Sequence, residues 1–159
     1  MIAYLLLGSN EGDRQQWLDR AMVQIEANCG PILKRSAVYT TAAWGVEDQP
    51  DFLNMAIAVD TTLPARELLG AINAVEQELG RQRRVKWGQR TLDIDILFYG
   101  DEIINEADLQ VPHPGLPDRR FALEPLNEIA PELVHPVRKV SISTLLRNCK
   151  DALPVNKNY

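Results

Sequence analysis

Two carboxylates separated by one residue, Asp93 and Asp95, stand inside the otherwise apolar run TLDIDILFY. Residues two apart on a strand share a face, so both aspartates project together while Leu92, Ile94 and Ile96 project to the other side. Their Cα atoms are then about 6.5 to 7 Å apart. Ionised carboxylates in one partly buried place repel, and each is costly to desolvate unless positive charge answers it. Magnesium answers both, because it takes oxygen ligands and is commonly held by one or two carboxylates plus substrate phosphates. Directly ahead, residues 81 to 90 carry Arg81, Arg83, Arg84, Lys86 and Arg90, in a chain whose net charge is −5. Cations beside a metal-binding carboxylate pair suit a polyanion such as a nucleoside triphosphate lying across both. Two surface aspartates on a polar strand face, beside a solvated charged loop, are the competing account, and residue types alone leave both open.

The elements that must position this pair follow from periodicity. Residues 2 to 7 (IAYLLL) read as a buried strand ending at Gly8-Ser9-Asn10, and Trp17, Leu18, Ala21, Met22 and Ile25 then recur at helical spacing until Gly30-Pro31. A β-branched and apolar run from Ile32 to Tyr39 reads as a strand, TTAAWGVEDQPD as a long irregular loop, and FLNMAIAVD as another strand. Pro64 opens a second helix with Leu68, Leu69, Ile72, Val75 and Leu79 on one face, closed by Gly80. After the strand holding Asp93 and Asp95, Gly100-Asp101 reads as a turn and EII as a short return strand. The rest is punctuated by proline, with helical patches near 121 to 129 and 142 to 149. Strand, helix, strand, strand, helix, strand is the order of an α+β, ferredoxin-like βαββαβ core: an antiparallel sheet with helices packed on it, here with C-terminal additions.

Size and composition bound what this fold serves. The chain has 159 residues, 45% hydrophobic and 25% charged, which predicts one soluble domain over residues 1 to 159. The acidic balance argues against nucleic acid as a partner, since a large footprint needs many lysines and arginines. Cys29 and Cys149 form no CxxC pair, so neither a disulfide framework nor a zinc ribbon is signalled. The N-terminal apolar run is too short for a signal peptide or a membrane span, which places the protein in the cytoplasm with no membrane partner.

The segment GRQRRVKWGQRTLDIDIL resembles the signature of the 6-hydroxymethyl-7,8-dihydropterin pyrophosphokinase family, folate-pathway enzymes that transfer diphosphate from ATP to a pterin alcohol. YLLLGSN, YTTAAWGVEDQPDFLN and VPHPGLPDRRFALEPLNEIAPEL also occur in family order and spacing, so the resemblance covers roughly residues 2 to 136. It implies that Asp93 and Asp95 bind two magnesium ions and that ATP is the co-substrate. Arg83 and Arg90 would hold the triphosphate and, with the two aspartates, form the catalytic set. Lys86 stands where the family more often has arginine, and Trp87 would move with this loop to pack over the pterin. His113 and Arg119 match further phosphate ligands, Glu76, Asn73 and Ile96 match nucleotide-binding positions, and Arg120 is a candidate by proximity. A lone histidine is otherwise more often structural than catalytic.

A pterin is a flat ring with a polar edge, so its site needs apolar plates for the faces and amide or hydroxyl groups for the edge. By the same resemblance Phe52 and Phe121 sandwich the ring, although each alone reads as a core residue. Asn54, on the same strand face as Phe52, offers a donor and an acceptor to the edge. Thr41, Ala42, Trp44 and Gly45 would line the pocket, with Trp87 and Asp95 reaching it from the nucleotide side; Ala42 and Ala43 replace the prolines common in relatives. The expected assembly is a monomer acting on small molecules. A nucleotidyltransferase of polymerase-palm type would also carry two metal-binding aspartates on such a sheet, and a pterin or nucleotide binder without turnover is a third reading. Analysis of the products separates the three.

Overall fold

The computed structural model describes residues 1–10, 12–41, 51–80 and 92–158. In chain order its elements are β1 (Ile2–Ser9), α1 (Arg14–Asn28), β2 (Ile32–Arg35), β3 (Tyr39–Thr41), β4 (Phe52–Asp60), α2 (Ala65–Gly80) and β5 (Asp93–Tyr99). The hairpin strands β6 (Ile104–Glu106) and β7 (Leu109–Val111) follow, then α3 (Arg120–Ile129), α4 (Ile142–Asn148) and β8 (Val155–Lys157). The main sheet runs β5-β1-β4-β3-β8, with β2 also paired to β4, and its ladders are antiparallel. The expected α+β, ferredoxin-like core is present, with the C-terminal segment as an addition.

Both faces of the sheet are covered, which is why β1 and β4 read as continuous apolar runs rather than alternating ones. On one face Leu5, Leu7, Ile57, Val59, Ile94 and Ile96 pack under the apolar sides of α1 and α2. On the other, Leu6, Ala56, Ala58, Leu97 and Phe98 pack under α3 and α4. The Asp13 side chain caps α1 by accepting from the Gln16 amide at 3.2 Å, answering one of the helix's orphan donors. Gly30 ends the same helical turn at φ +144°, and a Cβ there would lie 2.1 Å from the Asp60 carbonyl oxygen, so only glycine fits.

Two local expectations change, and one strand was not anticipated. The run from Ile32 to Tyr39 is two strands, because the Ser36 hydroxyl takes the Ala56 N–H at 2.9 Å while the Ser36 N–H goes to the Ala56 carbonyl. A side chain stands in for the backbone acceptor at that point, and the strand restarts at Tyr39. Residues 102 to 104 do not return onto the sheet: β6 begins at Ile104 and pairs with β7 in a separate two-stranded sheet, whose Leu109 and Val111 tuck into the core under α2. The turn at Gly100, with φ +56°, sends the chain away from the edge of β5 instead of alongside it. Finally, β8 joins the edge beside β3, a pairing with no periodic signal in its three residues. Among the described residues no helix is long and apolar enough to cross a membrane.

Candidate active site

Register across β5, β1 and β4 builds the floor of a cleft at the end of the sheet that α3 leaves uncovered. Gly8 stands opposite Asn54 on one side and Asp93 on the other, and one step along Leu6 stands between Ala56 and Asp95. Directly opposed antiparallel residues share a face, so the two aspartates, Gly8 and Asn54 all look into the same space. Asp93 and Asp95 are half-buried while Leu92, Ile94 and Ile96 are buried in the core, the alternation expected of the strand. This cleft has a volume of about 240 Å³. Phe52, Thr41, Phe121 and Arg119 complete its walls.

The cleft has the parts that a flat polar ring needs. Phe52 and Phe121 supply apolar plates. Asn54 is buried and donates from Nδ2 to Thr41 Oγ1 at 3.2 Å, which fixes the amide while its Oδ1 and second N–H stay available to a ligand edge. Gly8 was not among the expected site residues; a Cβ there would meet Asn54 Oδ1 at 2.7 Å. A glycine within a strand pattern signals such a close approach, so YLLLGSN did hold the clue. The Arg119 guanidinium lies 6.0 Å over the Phe121 ring, within cation–π range, and brings positive charge to the rim.

A second cleft, of about 300 Å³, opens on the other side of Asp95. Asp95, Ile94 and Ile96 form one wall, the tip of the β6–β7 hairpin another, and His113 closes one end. His113 follows the cis Val111–Pro112 bond and is held by its own backbone, its N–H donating to the Leu97 carbonyl at 3.0 Å. Its Nδ1 accepts from the Gly115 N–H at 3.1 Å, so in the neutral ring Nε2 carries the hydrogen and is the donor. Burial lowers the imidazole's pKa; Asp95 raises it and Arg119 lowers it, which places both charges within electrostatic reach of the ring. The other histidine is structural: His135 is buried edge-on to Phe98 at 5.6 Å, and its Nδ1 accepts from Val137 and Arg138 amides.

The structure thus gathers Thr41, Phe52, Asn54, Asp93, Asp95, Arg119 and Phe121 in one cleft, and Asp95, Ile96 and His113 in the next. At the edge of β5, Glu76 Oε2 takes the Ile94 N–H at 2.9 Å. Asn73, one turn earlier, is exposed and lines neither cleft. Arg120 faces away, donating to the Asp151 and Cys149 carbonyls of the C-terminal segment. Ala42, Trp44, Gly45, Arg83, Lys86, Trp87 and Arg90 lie outside the described residues, as does the rest of the cationic run. The aspartate pair offers hard oxygen donors, and among the described residues no group of three or more His, Cys, Asp or Glu side chains is arranged to hold an ion alone. Such a donor set fits magnesium, which shares its shell among one or two carboxylates, substrate phosphates and water.

An antiparallel sheet bearing a carboxylate pair between an aromatic cleft and a polar one is the framework of a transferase of the pyrophosphokinase class. The profile of the 7,8-dihydro-6-hydroxymethylpterin-pyrophosphokinase family matches residues 4–131, and the chain belongs to that family. It is 48% identical over 134 residues to the 2-amino-4-hydroxy-6-hydroxymethyldihydropteridine pyrophosphokinase of Aquifex aeolicus, covering 84% of this chain and 83% of the relative. The protein of the same name from Bacillus subtilis is 44% identical over 133 residues, covering 83% of this chain and 80% of the relative. Among solved structures, wild-type Plasmodium falciparum HPPK-DHPS shares the fold at a TM-score of 0.76 and 18% identity. That match covers 92% of this chain and 44% of the larger one.

Proposed function

We propose that the protein transfers diphosphate from ATP to the hydroxymethyl group of 6-hydroxymethyl-7,8-dihydropterin, giving AMP and the pterin diphosphate for folate biosynthesis. The observation that carries this reading is that Asp95 lines both clefts, so one carboxylate stands where an aromatic slot and a polar channel meet. The pterin ring would lie over Gly8 between Phe52 and Phe121, its edge on Asn54 and Thr41. That pose aims the hydroxymethyl group along the floor toward the aspartates. ATP would occupy the second cleft, with His113 Nε2 and the Arg119 guanidinium as donors to its phosphates.

The hydroxyl oxygen bonds to the β-phosphorus while the bond from β-phosphorus to the α–β bridging oxygen breaks. AMP departs with that oxygen, and the hydroxyl proton is released. Two magnesium ions held by Asp93 and Asp95 would supply charge neutralisation on the phosphates as the bonds exchange. The two aspartates also fix the relative position of the clefts, since both grow from β5 beside β1. Arg83, Lys86 and Arg90 complete the triphosphate site in this reading, with Trp87, Trp44, Gly45 and Ala42 closing the pterin side and Ile96, Glu76 and Asn73 on the nucleotide side. The chain works as one domain and as a monomer in the cytoplasm. Supporting the single domain, one sheet forms the middle of both apolar cores.

Incubation with ATP, magnesium and the pterin alcohol, followed by identification of products, tests the reading. AMP and pterin diphosphate support it; ADP, inorganic phosphate or no turnover refutes it.

A further inference from the structure

One wall of the second cleft does not belong to the main sheet. It is the β6–β7 hairpin, three residue pairs long, anchored on its inner side by Leu109 and Val111 but with Ala107 and Asp108 exposed at its tip. Hairpins of this size are marginal by themselves, so the position of the tip depends on what holds it. What holds it is Arg66, in the first turn of α2. Its Nη1 donates to Asp108 Oδ2 and its Nη2 to Asp108 Oδ1, both at 3.1 Å, and Nη2 also donates to Glu106. A two-pronged guanidinium–carboxylate pair sets orientation as well as distance. Asp108 and Leu69, the latter one turn past Arg66 on α2, both line the cleft. The pair therefore ties the helix that carries one wall residue of this cleft to the hairpin that forms another wall.

The charges give the same contact a second consequence. Glu106 and Asp108 put two carboxylates beside a channel that, in the reading above, receives a triphosphate. Hydrogen bonds from Arg66 hold Asp108 below the usual carboxylate range, so protonation offers no relief from that repulsion near neutral pH. Arg66 leaves the cluster one charge short of neutral; without it the cluster carries two.

Resting on the pyrophosphokinase reading, we propose that Arg66 is a positioning residue for the nucleotide: it fixes the hairpin wall of the ATP cleft and screens Asp108 and Glu106 from the phosphates. It makes no contact with the pterin cleft, so its influence falls on one substrate only. The three side chains are exposed, at 53%, 53% and 67% for Arg66, Glu106 and Asp108, so the effect is modest and weakens with salt.

Steady-state kinetics of wild type, Arg66→Ala and Arg66→Ala/Asp108→Asn at low ionic strength test the proposal. Arg66→Ala is expected to raise KM for ATP by about 3- to 10-fold, with kcat and pterin KM within about twofold. The added Asp108→Asn is expected to return part of that loss by removing the exposed charge, and calorimetric titration with ATP and magnesium alone should show the same order. An unchanged ATP KM, or a parallel loss in kcat, pterin KM and melting temperature, overturns the proposal. Absence of AMP and pterin diphosphate with the wild type instead refutes the pyrophosphokinase reading itself.

Discussion

Gly8→Ala adds a single methyl group to the floor of the aromatic cleft. Gly8 has no positive φ, so alanine is free to adopt its backbone conformation and the consequence lies entirely in space. The new Cβ would sit 2.7 Å from Asn54 Oδ1. Carbon and oxygen in ordinary contact stay well above 3 Å, so the Asn54 amide must move by roughly half an ångström or more. Asn54 is buried and tied to Thr41, so movement either breaks that hydrogen bond, about 1 kcal/mol, or strains the packing by about 1–3 kcal/mol. The pocket loses depth and the ring edge loses its aligned partner together. If the cost falls on pterin binding, affinity drops about 10- to 100-fold. The assay is titration of the pterin alcohol, with ATP binding measured in parallel and expected within about threefold of wild type. Gly70→Ala is the control, since a Cβ on that exposed helical position meets nothing within 4 Å; it should bind both ligands normally and be stabilised by about 0.5–1 kcal/mol. Pterin binding by Gly8→Ala within twofold of wild type would refute the placement of the ring over Gly8.

Asp95→Ala should abolish turnover while retaining a cooperative melt, because the carboxylate faces the clefts and not the core; activity within about tenfold of wild type sinks the metal role. Glu76→Ala should lower the melting temperature by about 2–4 °C for each kcal/mol lost with the acceptor of the Ile94 N–H, whereas Glu76→Gln keeps an acceptor and should melt near wild type. Equal melting of all three proteins would show that the contact contributes nothing. Burial, reinforced by Arg138, lowers the His135 pKa, so the native state binds fewer protons there than the unfolded chain. Its contribution to stability is therefore complete above the unfolded pKa near 6.5 and is lost as pH falls through the lower folded value. Urea midpoints at pH 7.5 and 5.0 should fall more steeply in wild type than in His135→Gln, and parallel slopes would count against this assignment.

Much of the scaffold was legible because its signals are local. Alternation along β5 put Asp93 and Asp95 on one face and Ile94 and Ile96 on the other, and the helical repeat picked out the buried sides of α1 and α2. The break at Ser36 was hidden because the apolar pattern runs through it while the interruption is made by a hydroxyl reaching another strand. The hairpin was misplaced for a similar reason: after Gly100 an apolar tripeptide is as suited to one partner strand as to another. Glu76 read as a nucleotide-side candidate on the flank of a helix, and its second task, accepting the Ile94 N–H of β5, had no signal because the partner lies on a distant segment.

What the sequence by itself determined is which side chains share a face and where elements stop, since dihedral period and turn chemistry depend only on near neighbours. Tertiary structure alone decided that Gly8 faces both Asn54 and Asp93, that Asp95 borders two clefts, and that Arg66 reaches the hairpin. Those relations are matters of register and packing between segments far apart in the chain, settled when both faces of the sheet are buried at once.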